Sequence, residues 1–502
     1  MNVAHLEKEQ LLDLVAVQSQ RIALLEQQLR LLKNWRYGRR DESIPPGQYA
    51  LFDTPEAVDV KADEDQVVEV SYKRKKRGKR GPCNKNLERH RVEHELPTEQ
   101  RHCACGGELK KIGEVISEQY EIIPARYIVI EHVQHKYACP CCEQNVQLAP
   151  KPPQPIAKAN AAPGLLAQVA THKFVDGVPL HRQEAQHARG GIHLPRNTMA
   201  RWLIALAELI LPLLNLLEDA IRAGPYVQCD ETRTQVLNEP GRKAASQSHM
   251  WVRRGGAKGA EVVIFNYFAS RSSEVALELF IDYVGYVQCD GYSGYHCLEK
   301  QGIVLVGCMA HARRKFHEAF KALSNQETVQ KSKAMAALKY IKRLYAIETQ
   351  VKDQSVERRY QVRQEQALPI LSEFKQWLES QNVLPKSLLG KAISYSLNQW
   401  PKLIRYCDDG VLEIDNNRDE QAIRPFAIGR KNFLFSDTPE GAHANARFYS
   451  LIETCKLHGH EPYAYLKHIF KELPRATTVN NYEQLLPWNL DVESVRQKAR
   501  EI

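Results

Sequence analysis

The sequence predicts a multidomain chain in which an α/β core is interrupted by a helical block and preceded by smaller units. Three observations predict it: coiled-coil leucine spacing near the N-terminus, a cysteine cluster between residues 83 and 142, and short apolar strands from Tyr226 onward. With 502 residues the chain is long enough for several domains of about 150 residues each. No run approaches the ~18 apolar residues that a membrane span needs. Because the N-terminus also lacks a secretory signal pattern, we expect an intracellular protein.

The predicted units follow one another along the chain. They are a coiled-coil helix (1–40), a flexible linker with a basic arm (41–84), a small cysteine-containing β module (85–150), a helical segment (160–222), an α/β core in two parts (223–310 and 406–470), an all-helical insertion between those parts (311–405) and a C-terminal tail (471–502).

The N-terminal helix carries apolar residues at alternating steps of four and three. This spacing places one seam along a helix, as in a coiled coil, and predicts self-association. The alternative is a single amphipathic helix that packs on its own protein. The seam consists of Leu11, Val15, Gln18, Ile22, Leu25, Leu29 and Leu32.

A basic run ends the linker, where seven of the eight residues from Lys73 to Arg80 are basic. Such a run is either a solvated segment or an arm that binds phosphate. The abrupt change from acidic to basic residues favours the arm. Its cations are Lys73, Arg74, Lys75, Lys76, Arg77, Lys79 and Arg80.

Six of the twelve cysteines fall between Cys83 and Cys142. Cys139 and Cys142 have the spacing with which two thiolates reach one tetrahedral Zn²⁺ ion. The other pair is either Cys103 with Cys105 or His102 with Cys105, beside two glycines. We therefore predict a structural zinc site in this β module, against the alternative of unligated cysteines.

Helical patterns on both sides of Arg189-Gly190-Gly191 give the helical segment the form of a helix-turn-helix. An ordinary helical hairpin would show the same pattern. The net charge of +9 is consistent with a nucleic-acid partner, although most of it is concentrated in the basic arm.

The pentapeptide YVQCD occurs twice, ending at Asp230 and at Asp290. Each copy predicts a short strand with an acid at its end, where ligands bind in α/β sheets. Neighbouring strands would bring the two carboxylates together, and a divalent cation such as Mg²⁺ would relieve their repulsion. We expect Cys229 and Cys289 to pack beneath the acids and Trp251 to lie in the core.

A third acid would complete a site for two metal ions. The candidates are Glu413, Asp415, Asp419 and Glu420, close to a predicted helix start at 415–417. With that start, Glu420 faces the metals while Ile423 and Ala427 pack on the sheet. Arg424, Arg430 and Lys431 are expected to line the approach to the acids and to neutralise backbone phosphate. After the last predicted strand, His311, Arg313 and Arg314 either contact phosphate or form the solvated start of a helix.

These residues resemble transposases of the insertion sequence 66 family over nearly the whole chain. The similarity is most specific in DNNRDEQAIRPFAIGRKNFLF (415–435) and GAHANARFYSLIETCKLHGHEPYAYL (441–466). It extends to the N-terminal helix, the cysteine module, the helical segment, QCDET (228–232), CDGYSGY (289–295) and GCMAHARRKF (307–316).

The resemblance implies a DDE transposase with a ribonuclease-H-like core, in which Asp230, Asp290 and Glu420 are the catalytic triad and ligands of two Mg²⁺ (or Mn²⁺) ions. It further implies that 311–405 is the family's insertion, that the helical segment binds DNA and that the β module binds zinc. This sequence has His102, with Cys103 beside it, where the family places its first zinc cysteine.

The implied reaction is cleavage at the ends of the insertion sequence followed by attack of the released 3′-hydroxyl on target DNA. The expected partners are the terminal inverted repeats, the target DNA, a second copy of the chain bound through the N-terminal helix, and accessory proteins of the same element. Two rival functions are a nuclease of the same fold without strand transfer and a zinc-containing DNA-binding regulator.

Overall fold

The computed structural model describes residues 127–137, 147–322 and 332–501, together with residues 18, 21, 22, 25 and 29. The chain divides into two compact units, of which one comprises residues 57–129. The other comprises the rest of the chain and contains all the strands and helices given below.

A five-stranded mixed sheet lies at the centre of the larger unit. Its strands are β3 (Tyr226–Gln235), β4 (Gln247–Gly255), β5 (Val262–Phe268), β6 (Tyr286–Gln288) and β7 (Val304–Val306). They lie in the sheet in the order β5-β4-β3-β6-β7. Strands β3, β4 and β5 pair antiparallel, whereas β6 and β7 run parallel to β3.

The five strands predicted from the apolar runs are all present, but one prediction about them is wrong. Strand β3 does not end at Asp230; it continues to Gln235, because beyond the short parallel contact with β6 it pairs with β4 as far as Gln235. Asp230 therefore lies inside a strand, at the level where its parallel neighbour has already ended. Trp251 lies fully buried in β4, as expected.

Four helices precede the sheet and share one hydrophobic core with it. They are α1 (Pro163–Phe174), α2 (Leu180–Arg189), α3 (Arg196–Leu209) and α4 (Leu211–Ala223). Among the described residues no single helix could span a membrane; the bent pair α3–α4, with 51° between its parts, has the length and composition of a span. The apolar faces of both helices are buried in the core.

A second hydrophobic core belongs to the helices between β7 and residue 416. Two earlier elements do not belong to this group: α5 (Ser273–Leu279), between β5 and β6, and a 3-10 helix (Ser293–Gln301), between β6 and β7. The group consists of α6 (Met309–Lys321), α7 (Lys333–Val351), α8 (Val356–Val362), α9 (Leu368–Glu379), α10 (Leu388–Asn398) and α11 (Trp400–Leu403). A π-helical turn, Arg363–Ala367, joins α8 to α9. No strand occurs among the described residues of this block, as the sequence predicts.

The chain then returns to the sheet through five helices. They are α12 (Asn417–Phe433), α13 (Pro439–Leu457), α14 (Pro462–Glu472), α15 (Val479–Glu483) and α16 (Val492–Arg500). Helix α13 covers β5, and its Ser450 and Thr454 hydroxyls accept hydrogen bonds from the backbone N–H groups of Phe265 and Val263. The predicted C-terminal tail, from residue 471 onward, contains α15 and α16, and its residues Leu485, Leu486 and Val495 are buried.

The N-terminal units are described only in part. Gln18, Ile22, Leu25 and Leu29 are helical and exposed, and more than half of each of the three apolar side chains is accessible. In the β module, β1 (Lys136–Tyr137) pairs antiparallel with β2 (Gln147–Leu148), whereas residues 127–135 are not in a strand. Residues 127–133 find no pairing partner within the described part of the chain, and Val129 is 94% exposed.

Candidate active site

The two YVQCD segments lie side by side in the same register. Tyr226 pairs with Tyr286 and Gln228 with Gln288 in the parallel contact between β3 and β6. Two residues further on, the same register brings Asp230 and Asp290 to neighbouring positions at one end of β6. Beneath them, Cys229 and Cys289 are buried, as expected.

Asp230 is held in an environment that disfavours its charge. Burial, reinforced by the negative charges of Glu231, Glu420 and Asp290, raises the pKa of Asp230 to about 8. The backbone N–H of Glu231 donates to Asp230 at 2.8 Å and partly opposes this shift. The three acids of the predicted triad are thus close enough for Asp230 to be affected by both of the others.

Glu231 and Arg271 join the site although the sequence did not indicate them. The Glu231 side chain is 3% exposed, forms an ion pair with Arg271 and accepts a hydrogen bond from the Tyr295 hydroxyl. Arg271 also lies 3.7 Å from Asp290 and stacks on the ring of Tyr292 at 3.7 Å from its centroid. Arg271 belongs to the connection between β5 and α5. No local sequence pattern indicates that its side chain contacts the acids.

Glu420 lies in the first turn of α12, as predicted from the helix start. Its carboxylate is 14% exposed and lies 3.3 Å from Arg314 and 3.7 Å from His311, both in α6. Burial lowers the pKa of His311, although the charge of Glu420 opposes this effect. The side chains of His311 and Arg314, which we expected near phosphate, thus both contact the carboxylate of Glu420.

The other two acidic candidates near Glu420 have different surroundings. Asp415 accepts a hydrogen bond from the Tyr345 hydroxyl at 2.5 Å and from the backbone N–H of Asn417, the first residue of α12, at 3.1 Å. Asp419 is fully buried, and neither of its carboxylate oxygens has a hydrogen-bond partner among the described residues. Burial and the charge of Asp230 raise the pKa of Asp419 well above its usual value.

The remaining predicted cations are spread over several surfaces. Arg313 is half-buried on α6. Arg424 and Lys431 are exposed on α12. Arg430 instead donates to Thr232 of β3 at 3.1 Å and so ties α12 to the sheet. Ile423 is buried in the core, as predicted, while Ala427 is only half-buried.

The acids have the chemistry to bind a cation, but their side chains do not yet form a complete metal site. Among the described residues, no three His, Cys, Asp or Glu side chains converge closely enough to hold a metal ion. The donor set nevertheless suits a hard divalent cation, because carboxylate oxygens are the ligands that Mg²⁺ prefers. Burial and the neighbouring carboxylates raise the pKa of Asp230, and a cation bound beside it would oppose this shift by favouring the ionised form.

The helical block between β7 and α12 touches both loops that carry acids. Gly291, directly after Asp290, packs against Tyr395 of α10 so closely that a Cβ atom at this position would lie 2.7 Å from the ring. Tyr345 of α7 binds Asp415.

The zinc candidates and the basic arm 73–80 lie outside the described residues. These zinc candidates are His102, Cys103, Cys105, Cys139 and Cys142.

Comparisons with known proteins agree with this organisation. A family profile described as "Transposase IS66 family" matches residues 158–444, and one described as "IS66 C-terminal element" matches 450–488. Further profiles match 100–143, described as "zinc-finger binding domain of transposase IS66", and 24–92, described as "Transposase C of IS166 homeodomain".

Similar full-length proteins come from Sinorhizobium fredii (strain NBRC 101917 / NGR234). The uncharacterized protein y4jD is 33% identical over 98% of this chain and 100% of its own length. The uncharacterized proteins y4qI and y4hP are 29% and 30% identical, over 95% and 82% of this chain and 90% and 77% of their own lengths.

Proposed function

The chain belongs to the IS66 family of transposases, and on that basis we propose that it cleaves DNA at the ends of its insertion sequence and transfers the cut ends to target DNA. The observation that carries this proposal is the in-register pairing of the two YVQCD strands, which sets Asp230 beside Asp290. Glu420 approaches the same end of the sheet from α12. The mixed sheet with its helical layers supports a ribonuclease-H-like DDE core.

In this proposal Asp230, Asp290 and Glu420 would hold two Mg²⁺ ions, or Mn²⁺ in their place. Such ions would supply activation of the attacking oxygen and charge stabilisation of the leaving oxygen of the phosphodiester. Glu231 and Arg271 orient the acid cluster from one side. His311 and Arg314 contact Glu420 from the other side, and the Arg314 guanidinium supplies positive charge near the scissile phosphate.

DNA would contact several basic surfaces at once. The proposed phosphate contacts include Arg424 and Lys431, which are exposed on α12. The other proposed contacts are Arg313, Arg430 and the arm at 73–80. The helical segment 160–222 is the proposed DNA-binding module, although its helices share their core with the sheet.

Two transposon ends require two active sites, which favours a dimer through the exposed seam of Ile22, Leu25 and Leu29. Accessory proteins of the same element are further proposed partners.

The test of this function is an in vitro reaction with labelled element ends and supercoiled target plasmid. We expect the full-length protein, with its accessory proteins present, to cut and join the ends in Mg²⁺ and to do neither in EDTA. Cutting without joining would favour the rival nuclease. Sequence-specific binding of the ends, with neither cutting nor joining under any metal, would favour the DNA-binding regulator.

A separate prediction concerns zinc in the β module, to which the profile at 100–143 assigns a zinc-finger domain. We expect the purified chain to contain about one zinc ion, as a four-ligand structural site requires. The Cys139→Ser and Cys142→Ser variants should lose the zinc ion, as measured by mass spectrometry of bound metal.

A second comparison identifies the first zinc ligand. Because His102 and Cys103 compete for this position, the zinc content of His102→Ala is compared with that of Cys103→Ser. We expect only the cysteine variant to lose zinc, and the reverse result would assign His102.

A further inference from the structure

Two glutamines lie directly behind the paired aspartates. Gln228 and Gln288 occupy the same position in the two YVQCD strands and face each other in the β3–β6 pairing. They are 2% and 0% exposed. A buried amide is unfavourable unless its donors and acceptors are satisfied, so a pair of amides at this depth must have partners.

Their hydrogen bonds lead out of the sheet to the segment that precedes α12. Gln228 Nε2 donates to Gln288 Oε1 and to the carbonyl of Asp415, both at 2.9 Å. Gln288 Nε2 donates to the carbonyl of Glu413 at 2.9 Å and to that of Gly307 at 3.1 Å. Gln288 Oε1 also accepts the Tyr226 hydroxyl. Both N–H bonds of Gln288 are thus used on backbone carbonyls, one of them in this segment.

The segment 412–416 has no regular structure, yet each of its first four carbonyls is held. Besides the two bonds from the glutamines, the carbonyl of Leu412 accepts from Arg363 at 2.9 Å and that of Ile414 accepts from the backbone N–H of Met309 at 3.0 Å. The next carbonyl, that of Asn416, accepts the N–H groups of Asp419 and Glu420, both at 3.0 Å. A shift of this segment would therefore move the first turn of α12, and Glu420 with it.

We infer that Gln228 and Gln288 are positioning residues that set the third acid, Glu420, relative to Asp230 and Asp290. This inference rests on the proposed function. Each strand would supply two things in one rigid piece: an acid, and two residues earlier an amide that fixes the segment bearing the remaining acid. Such a role accounts for the repetition of Gln as well as Asp in the pentapeptide. It also makes the helical block, which ends in this segment, a determinant of the active-site geometry.

The test replaces each amide by an apolar side chain of similar length. In Gln228→Met and Gln288→Met the unbranched side chain fills the same space but cannot donate to the carbonyls. In the metal-free full chain, we expect faster amide hydrogen exchange over 412–420. In the strand-transfer reaction, we expect a rate roughly tenfold to a hundredfold lower and a higher Mg²⁺ concentration for half-maximal rate, as for outer residues that orient metal ligands.

A matched control is Gln364→Met. Gln364 Nε2 donates to the carbonyl of Cys407 at 2.7 Å within the helical block and does not reach 412–416. We expect this variant to keep wild-type exchange over 412–420 and the wild-type Mg²⁺ requirement. Thermal unfolding of all variants identifies a general loss of folding.

Two results would overturn the inference. The first is wild-type exchange and Mg²⁺ dependence in both YVQCD variants. The second is a loss of rate that follows the unfolded fraction alone, with an unchanged Mg²⁺ requirement. If the wild-type chain shows no metal-dependent action on element ends, the proposed function fails by itself, and hydrogen exchange still decides whether the glutamines hold the segment.

Discussion

Substitution of Glu420 by Gln is expected to lower the rates of cleavage and joining on the order of a thousandfold, while the fold is retained. The amide keeps the shape of the side chain but removes the negative charge that a metal ligand supplies. Glu420 is partly exposed, and its contacts with Arg314 and His311 are longer than ideal ion pairs. Their loss should therefore change the free energy of unfolding by no more than about 0.5 kcal/mol. Strand-transfer assays and urea denaturation measure the two quantities.

Asp419→Asn is the informative comparison, because Asp419 is the neighbouring acid and also lies near Asp230. Its carboxyl group is fully buried, and its pKa is raised well above the usual range. Because burial and the charge of Asp230 disfavour the ionised form of Asp419, an amide of similar size replaces this carboxyl group with a smaller change than at Glu420. We expect a much smaller loss of rate than in Glu420→Gln. Full activity of Glu420→Gln together with an inactive Asp419→Asn would transfer the role of third acid to Asp419.

The sequence predicted the sheet and the paired acids because their signals are local. Short apolar runs of β-branched residues mark strands, and a repeated pentapeptide marks two strands with the same environment. The same repeat also contains the glutamines, which precede the aspartates by two residues and so fall on the same face of a strand as the acids.

Other features depend on contacts that no sequence window contains. Arg271 reaches Glu231 and Asp290 from a connection between elements, so its role depends on how the chain folds back. Strand β3 extends past Asp230 only because β4 offers it a long antiparallel partner. The helical segment 160–222 reads as a separate module, yet its apolar faces complete the core of the sheet. Propensity and periodicity define elements, but tertiary pairing decides where they end and what they cover.

Arg363→Met is expected to produce the largest loss of stability, a decrease of about 3–5 kcal/mol in the free energy of unfolding. Arg363 is fully buried, and all five of its N–H donors are used. It binds Glu348 through two bonds, at 2.9 and 2.7 Å. The others reach the carbonyls of Tyr406, Asp409 and Leu412 at 2.8–2.9 Å. Without the guanidinium, Glu348 and three carbonyls in the helical block lose a buried partner.

The matched control is Arg343→Met, which removes an arginine from the same block. Arg343 pairs with Glu373 at 3.1 Å, but both side chains are more than half exposed. We expect its effect on the free energy of unfolding to stay within about 0.5 kcal/mol in urea denaturation. Equal stabilities for the two variants would contradict the role assigned to Arg363. Because Arg363 also holds Leu412, the first residue of the 412–416 segment, its loss should raise hydrogen exchange there even in the folded protein.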